Sequence, residues 1–180
     1  MNAAQALLLF AAAGVAGCGQ RSPATASHAT DAAQSWWQWH DDVRAVDRAV
    51  DEAINEPGGG NYVKAVEVVR SSDFPPAVKQ FQVGQLIIGG ITERADKRPP
   101  ETMEQGLRMM EDASIAPGQK SEANVQQLRF LFERGAGTPP AVFPKDPEVA
   151  ACWLRVEQRR TDDRARCIAL RRQRLPNVGR

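Results

Sequence analysis

The chain has 180 residues, a formal net charge of +1 and 42% hydrophobic residues. This composition argues against an obligate polyanionic partner such as nucleic acid and against a largely disordered chain. A chain of this length can form one hydrophobic core or a short array of repeats.

The chain opens with an apolar run over residues 3–16, interrupted only by Gln5 and Gly14. A bilayer span needs about 20 apolar residues, so this run is too short to cross a membrane and has the length of a signal-peptide core. It ends in Val15-Ala16-Gly17, directly before Cys18. This tetrapeptide resembles the lipobox of bacterial lipoproteins, although no Lys or Arg precedes the apolar run.

The lipobox resemblance implies that residues 1–17 are a signal peptide and that Cys18 becomes the lipidated first residue of the mature protein. Gly19, rather than Asp, follows the cysteine. By the lipoprotein sorting rule this implies an outer-membrane anchor facing the periplasm. The two other readings are an ordinary secretory signal and a buried apolar helix.

Residues 18–30 have no apolar period and are predicted to form a flexible tether, followed by a single helical domain over 31–175 and a disordered tail over 176–180. The domain opens with apolar residues at steps of three and four, which indicates an amphipathic helix: Trp36, Trp39, Val43, Val46, Val50 and Ile54. Trp37 lies off this stripe, and we expect it to contact a partner or a membrane surface.

Further helices are predicted in chain order after the Pro-Gly-Gly-Gly break at 57–60: residues 62–70, 78–91, 101–113, 122–134, 149–159 and 164–174. Residues 135–145 are rich in Gly and Pro and predict a loop. The best strand candidate is the short run at 87–91. The sequence therefore predicts an all-α fold.

Three of these helices carry a small residue in a similar local frame, at nearly equal intervals: Ala65, Gly106 and Ala150. Small residues let helices approach closely. The pattern of helix, glycine-containing loop and helix predicts a repeat, because one helix hairpin cannot bury its apolar stripe alone and neighbouring hairpins must stack.

Residues 121–140 (SEANVQQLRFLFERGAGTPP) and 145–154 (KDPEVAACWL) together resemble the Sel-one-like repeat, a relative of the tetratricopeptide repeat. Residues 78–113 resemble a second, more degenerate copy with Gly106 at the Ala position. The resemblance implies a short α-solenoid of helix hairpins with capping helices, as opposed to an ordinary helical bundle. The residues that fit the motif in the last copy are Gly135, Gly137, Asp146, Ala150 and Trp153.

Only Cys152 and Cys167 remain once Cys18 carries lipid. Two cysteines in an oxidising compartment are expected to pair, and their spacing suits a cross-link between adjacent antiparallel helices. Both histidines are N-terminal and far from them in sequence, so we predict no metal site.

Enzyme motifs such as H-E-x-x-H and G-x-S-x-G are absent from the sequence, so we predict no enzymatic activity and no cofactor. The segment from Arg155 onward holds nine arginines against three acidic residues. Such a segment either contacts an anionic surface or an acidic protein, or forms a solvated helix face.

Tetratricopeptide-like stacks bind other proteins, so the resemblance implies a lipid-anchored binding module that contacts the membrane only through its lipid. Some small lipoproteins of this kind are immunity proteins that neutralise antibacterial effectors in the periplasm; others are envelope scaffolds or adaptors. The alternatives are a cell-wall or glycan-binding protein or enzyme, with Trp37 and the arginines lining a groove, and a purely structural lipoprotein.

Overall fold

The computed structural model describes residues 42–116, 122–138, 141–159 and 162–178. The chain divides into two compact units, Met1–Asp42 and Val43–Arg180. Of the first unit only Asp42 is described, so the predicted signal peptide, the lipidation site Cys18, the tether and Trp37 lie outside the described residues.

The second unit is built from helices, which confirms the all-α fold class. Helix α1 covers residues 43–54 of this unit. The other helices are α2 (Tyr62–Ser71), α3 (Pro76–Gly89), α4 (Met103–Ile115), α5 (Glu122–Arg134), α6 (Pro147–Glu157) and α7 (Arg164–Arg174). The strand candidate at 87–91 is wrong, because these residues end α3 and enter a 3₁₀ turn over Gly90–Thr92.

The predicted loop after α5 contains a short antiparallel ribbon of β1 (Ala136–Thr138) and β2 (Ala141–Phe143). Gly135 ends α5 with a φ of +72°, a backbone conformation that favours glycine. The buried Phe143 ring then packs on Phe132, with ring centroids 5.3 Å apart. Burial of Phe143 places the second strand beside the first. The Gly and Pro residues of this segment predicted a loop and gave no indication of this strand pairing.

Two apolar clusters hold the unit together, and α3 contributes to both. Val83 and Ile87 face the cluster formed with α1 and α2. Phe81 and Ile88 belong to the larger cluster, which includes Leu107, Leu128, Phe132, Trp153 and Ile168 from the later helices. Helix α3 packs mainly on α4, and α5 packs mainly on α6.

The crossing of α3 and α4 is made by two glycines. A Cβ atom on Gly84 would lie 2.5 Å from the Gly106 carbonyl oxygen, and a Cβ on Gly106 would lie 2.9 Å from the Gly84 oxygen. The two backbones therefore touch directly at this point, and neither position has room for a side chain.

Replacing Gly84 by Ala is expected to destabilise the protein by about 1–3 kcal/mol, because the added methyl group meets backbone atoms that cannot rotate away. The control is Gly89→Ala on the same helix, where the new methyl group would meet the edge of the Tyr62 ring at 3.1 Å. Urea unfolding measures both. Equal effects of the two changes would show that the glycine crossing does not limit helix packing.

Candidate functional site

The most deeply buried charges lie between α4 and α7. Arg171 on α7 is 0% exposed, and so is Glu111 on α4. The Arg171 guanidinium donates two hydrogen bonds to the Glu111 carboxylate, one of them from Nε to Oε1 at 2.7 Å. Its Nη1 donates to both oxygens of Glu104 at 2.9 and 3.0 Å. Glu104 and Glu111 lie two turns apart on one face of α4 and together hold α7 in place.

Glu104 connects this network to the chain end. It also accepts hydrogen bonds from Arg108 Nε at 2.8 Å and from the Val178 backbone N–H at 3.4 Å. Val178 is itself buried, so the prediction of a disordered tail over 176–180 is wrong at this residue. The segment after α7 is ordered because the Val178 side chain is buried in the core and its backbone N–H donates to the Glu104 carboxylate.

The pKa values of the Glu104 and Glu111 carboxyl groups shift in opposite directions. Burial raises the pKa of Glu111 above its usual range, and the hydrogen bonds from Arg171 only partly counter it. Burial also acts to raise the pKa of Glu104, but the hydrogen bonds from Arg108 and Arg171 outweigh it and the pKa is lowered. Burial therefore outweighs the hydrogen bonds and nearby positive charges at Glu111 but not at Glu104.

Five of the seven described arginines from Arg155 onward form ion pairs within the chain, yet five of the seven remain exposed to solvent, in agreement with the predicted solvated helix face. Arg171 is the fully buried exception among them. The partners of these arginines include acids of α4, α5 and α6. The ion pairs are Arg159–Glu122, Arg164–Asp162, Arg171–Glu104, Arg171–Glu111, Arg172–Glu111, Arg172–Asp112, Arg174–Asp146 and Arg174–Glu148.

Cys152 on α6 and Cys167 on α7 form a disulfide with an S–S distance of 2.04 Å and a Cα–Cα distance of 5.6 Å. This confirms the predicted pair. Both residues are buried. The bond holds α7 against α6, while the Arg171 network holds the same helix against α4.

Asp146 begins α6, at the position expected from the repeat motif. Its Oδ1 accepts from the backbone N–H groups of Glu148 and Val149, both at 3.0 Å, and its Oδ2 accepts from Arg174 Nε at 2.7 Å. Burial acts to raise the pKa of Asp146, but the hydrogen bonds from Arg174 and Val149 outweigh it and the pKa is lowered. One carboxylate thus caps α6 and binds the last turn of α7.

Replacing Asp146 by Ala should destabilise the protein by about 1–2 kcal/mol at pH 7, mainly through loss of the helix cap. The folded-state pKa of Asp146 is lowered, so its stabilisation is complete above the unfolded-state value of about 3.9 and is lost as the pH falls through the folded-state pKa. Urea unfolding at pH 7 and pH 3 should show that the difference in free energy of unfolding between wild type and variant is smaller at pH 3.

The matched control is Asp146→Asn, which can still cap the helix but has no charge for Arg174. It should lose less than half as much stability as the alanine variant. If the difference in unfolding free energy between wild type and Asp146→Ala stays constant down to pH 3, the role assigned to the ionised carboxylate is wrong.

The structure also shows where the other residues predicted for the repeat motif lie. Ala65, Ala150 and Trp153 are buried in the two clusters. Gly135 is the turn residue after α5, where a Cβ would come within 2.7 Å of the Phe143 oxygen. Gly137 pairs with Val142 in the ribbon. The structure thus brings Gly135, Asp146, Ala150 and Trp153 around one helix pair, whereas Ala65 and Gly106 lie in other helices.

An exposed apolar groove runs between α5 and α6 and has a volume of about 410 Å³. We call it the α5–α6 groove. Leu154, on its wall, is 37% exposed and is one of two large exposed hydrophobic residues in the described part of the chain. The lining residues are Arg129, Phe132, Glu133, Lys145, Pro147, Ala150, Ala151 and Leu154.

The charges around the α5–α6 groove are not all balanced. Arg129 donates to Glu133 at 2.6 Å and also to Glu157, so its charge is neutralised within the protein. Lys145 has no acidic partner among the described residues. The groove therefore has an apolar floor and an unmatched positive charge at its edge.

A second cleft, of about 380 Å³, lies where the start of α5 meets the end of α6 and the start of α7. Its charged residues have partners within the protein: Glu122 pairs with Arg159, and Glu157 pairs with Arg129. This arrangement closes the open end of the α5–α6 pair and leaves less unbalanced charge for a ligand.

Within the described ranges, no three His, Cys, Asp or Glu residues lie close enough together to hold a metal ion. No helix of that same part of the chain has the length and apolar character needed to cross a membrane. Comparison with known proteins found no matching family model, no matching curated protein and no matching solved structure.

Proposed function

We propose that the protein is a lipid-anchored periplasmic protein-binding module, a short α-solenoid of Sel-one-like helix hairpins held to the outer membrane through Cys18. The supporting observation is the pairing of α3 with α4 and of α5 with α6, because each pair spans one copy of the repeat predicted from the sequence. In the α5–α6 pair, Glu122 at the start of α5 meets Arg159 after the end of α6, so the pair is antiparallel.

The periplasmic location is supported by the Cys152–Cys167 disulfide, because such bonds persist in oxidising compartments and are rare in the cytosol. The specific role we propose is that of an immunity protein that neutralises an antibacterial effector. An envelope scaffold or adaptor would use the same binding mechanism with a different partner.

The lipid anchor makes a direct prediction. Mature protein from the native host should begin at Cys18 and carry the added mass of acyl chains, and it should fractionate with membranes. The Cys18→Ser variant should lose that mass and leave the membrane fraction, because two or more acyl chains are needed for stable anchoring. Intact mass spectrometry measures both proteins. An unmodified Cys18 in the native host would contradict the anchor.

Protein binding is tested by chemical cross-linking of the wild-type protein in intact cells, followed by identification of partners by mass. The immunity role is tested by co-expression with a periplasmic toxin encoded beside this gene. Cells should survive when the protein carries its leader and die when the leader is removed. Absence of any specific partner would overturn the binding module, whereas partners without rescue would favour the scaffold role.

A further inference from the structure

We propose that the α5–α6 groove is the docking site for the partner protein, and that its occupant is an apolar side chain or short apolar segment flanked by Asp or Glu. This inference rests on the proposed protein-binding function and adds the place of binding and the chemistry of the partner. It follows from the shape of the groove, its apolar floor and the cations at its rim.

The apolar character of the groove is unusual for the outer side of these helices. Helix α6 buries Val149, Trp153 and Val156 in the core, yet leaves Leu154 partly exposed beside Ala151. The groove is about 410 Å³ in volume, within the range of cavities that hold ligands in proteins. Apolar anchors seated in such pockets supply most of the binding energy of protein interfaces.

Two cations beside the groove lack an acidic partner among the described residues. Lys145 lines one end, and Arg155 follows Leu154 and lies one turn beyond Ala151 on α6. Elsewhere in the described chain most arginines of the C-terminal segment are paired, so this rim is available to a partner's carboxylates.

The concave shape favours a protein over a lipid surface. Leu154 lies on the wall of the groove, so a protruding side chain can reach it, whereas a flat bilayer cannot enter. The cations select acidic flanks and disfavour basic ones through like-charge repulsion. An apolar anchor with acidic neighbours satisfies both features of the site.

The experiment places a photoreactive benzoylphenylalanine at position 151, inside the groove, in full-length protein expressed with its own leader in the native host. The control places the same group at Glu67, which is exposed on α2 and does not line the groove. The two groove variants are Leu154→Glu and the double change Lys145→Glu with Arg155→Glu. Arg166→Glu, an exposed cation on α7, is the matched control variant. Helical circular dichroism and an intact disulfide verify the folding of each.

We expect a specific protein adduct from position 151 and none from Glu67, with the cross-linked segment containing an apolar residue flanked by Asp or Glu. Each groove variant should reduce the adduct at least tenfold, and Arg166→Glu should leave it unchanged. A basic or wholly polar cross-linked segment, or an adduct insensitive to the groove variants, would overturn the inference.

Two further outcomes separate this inference from the proposed function. If chemical cross-linking finds a specific partner but the group at position 151 does not react with it, the α5–α6 groove is not the docking site, while the proposed protein-binding function is retained. If neither method finds a partner, both fail. A lipid surface is tested with the non-lipidated Cys18→Ser protein and phosphatidylglycerol vesicles. If this protein floats with the vesicles and Leu154→Glu abolishes the flotation, the groove binds a lipid surface and the proposed protein occupant is wrong.

Discussion

The Arg171→Met variant is expected to be about 3–5 kcal/mol less stable than the wild type, the largest effect of any single substitution considered for this protein. The change leaves Glu111, which is 0% exposed, without the guanidinium that donates two hydrogen bonds to it. With only the half-exposed Arg172 at 3.7 Å remaining, this buried carboxylate must either stay charged at high cost or take up a proton. Urea unfolding at pH 7, followed by circular dichroism, measures the loss.

A double variant distinguishes the cost of an unpaired charge from the loss of packing. Arg171→Met combined with Glu111→Leu removes both buried charges, so it should recover much of the stability that Arg171→Met loses. The matched control is Arg172→Met, because Arg172 is 51% exposed and lies 3.7 Å from Glu111. A half-exposed arginine at that distance, screened by solvent, is expected to contribute less than about 1 kcal/mol. Equal losses from the two single arginine variants would contradict the buried network.

Removal of the disulfide is expected to destabilise the protein by about 3 kcal/mol, as the loop-entropy relation gives for a cross-link of this sequence separation. The paired change Cys152→Ala with Cys167→Ala tests this. Helix α7 buries only Cys167, Ile168 and Arg171, so it has little apolar area to hold it once the bond is gone. Urea unfolding with and without dithiothreitol gives the comparison.

The double alanine variant serves as its own control, since reductant should not change its unfolding curve. The reduced wild-type protein should unfold close to that variant. A wild-type curve that does not shift after complete reduction, verified by thiol titration, would show that the bond adds nothing to the stability of the folded chain.

Several features could be read from the sequence because they depend on local patterns. Apolar residues at steps of three and four predicted the helices, and the predicted ranges 122–134 and 164–174 coincide with α5 and α7. The Cys152–Cys167 pair was also predictable, because only two cysteines remain once Cys18 is given to the proposed lipid anchor. The cap at Asp146 is a local signal too, since it depends on backbone N–H groups two and three residues away.

The candidate site was less predictable than the helices. The carboxylates Glu104 and Glu111 are spaced to share one face of α4, but nothing local identifies Arg171 as their partner. The α5–α6 groove likewise depends on how two helices and the ribbon meet. Its exposed Leu154 occupies a position that helical periodicity alone does not distinguish from a core residue.

By itself, the sequence determined the helical class, the bounds of α2 to α7 to within two residues, the cysteine pair and the small residues suited to close helix contact. The tertiary structure decided that a glycine-rich loop folds into a ribbon whose second strand ends at the buried Phe143, that Val178 is buried, and that most of the described C-terminal arginines bind acids within the molecule. Periodicity and caps act over a few residues, whereas burial and ion pairing join residues far apart in the chain. Whether an arginine faces solvent or a buried carboxylate therefore depends on which helix packs against it.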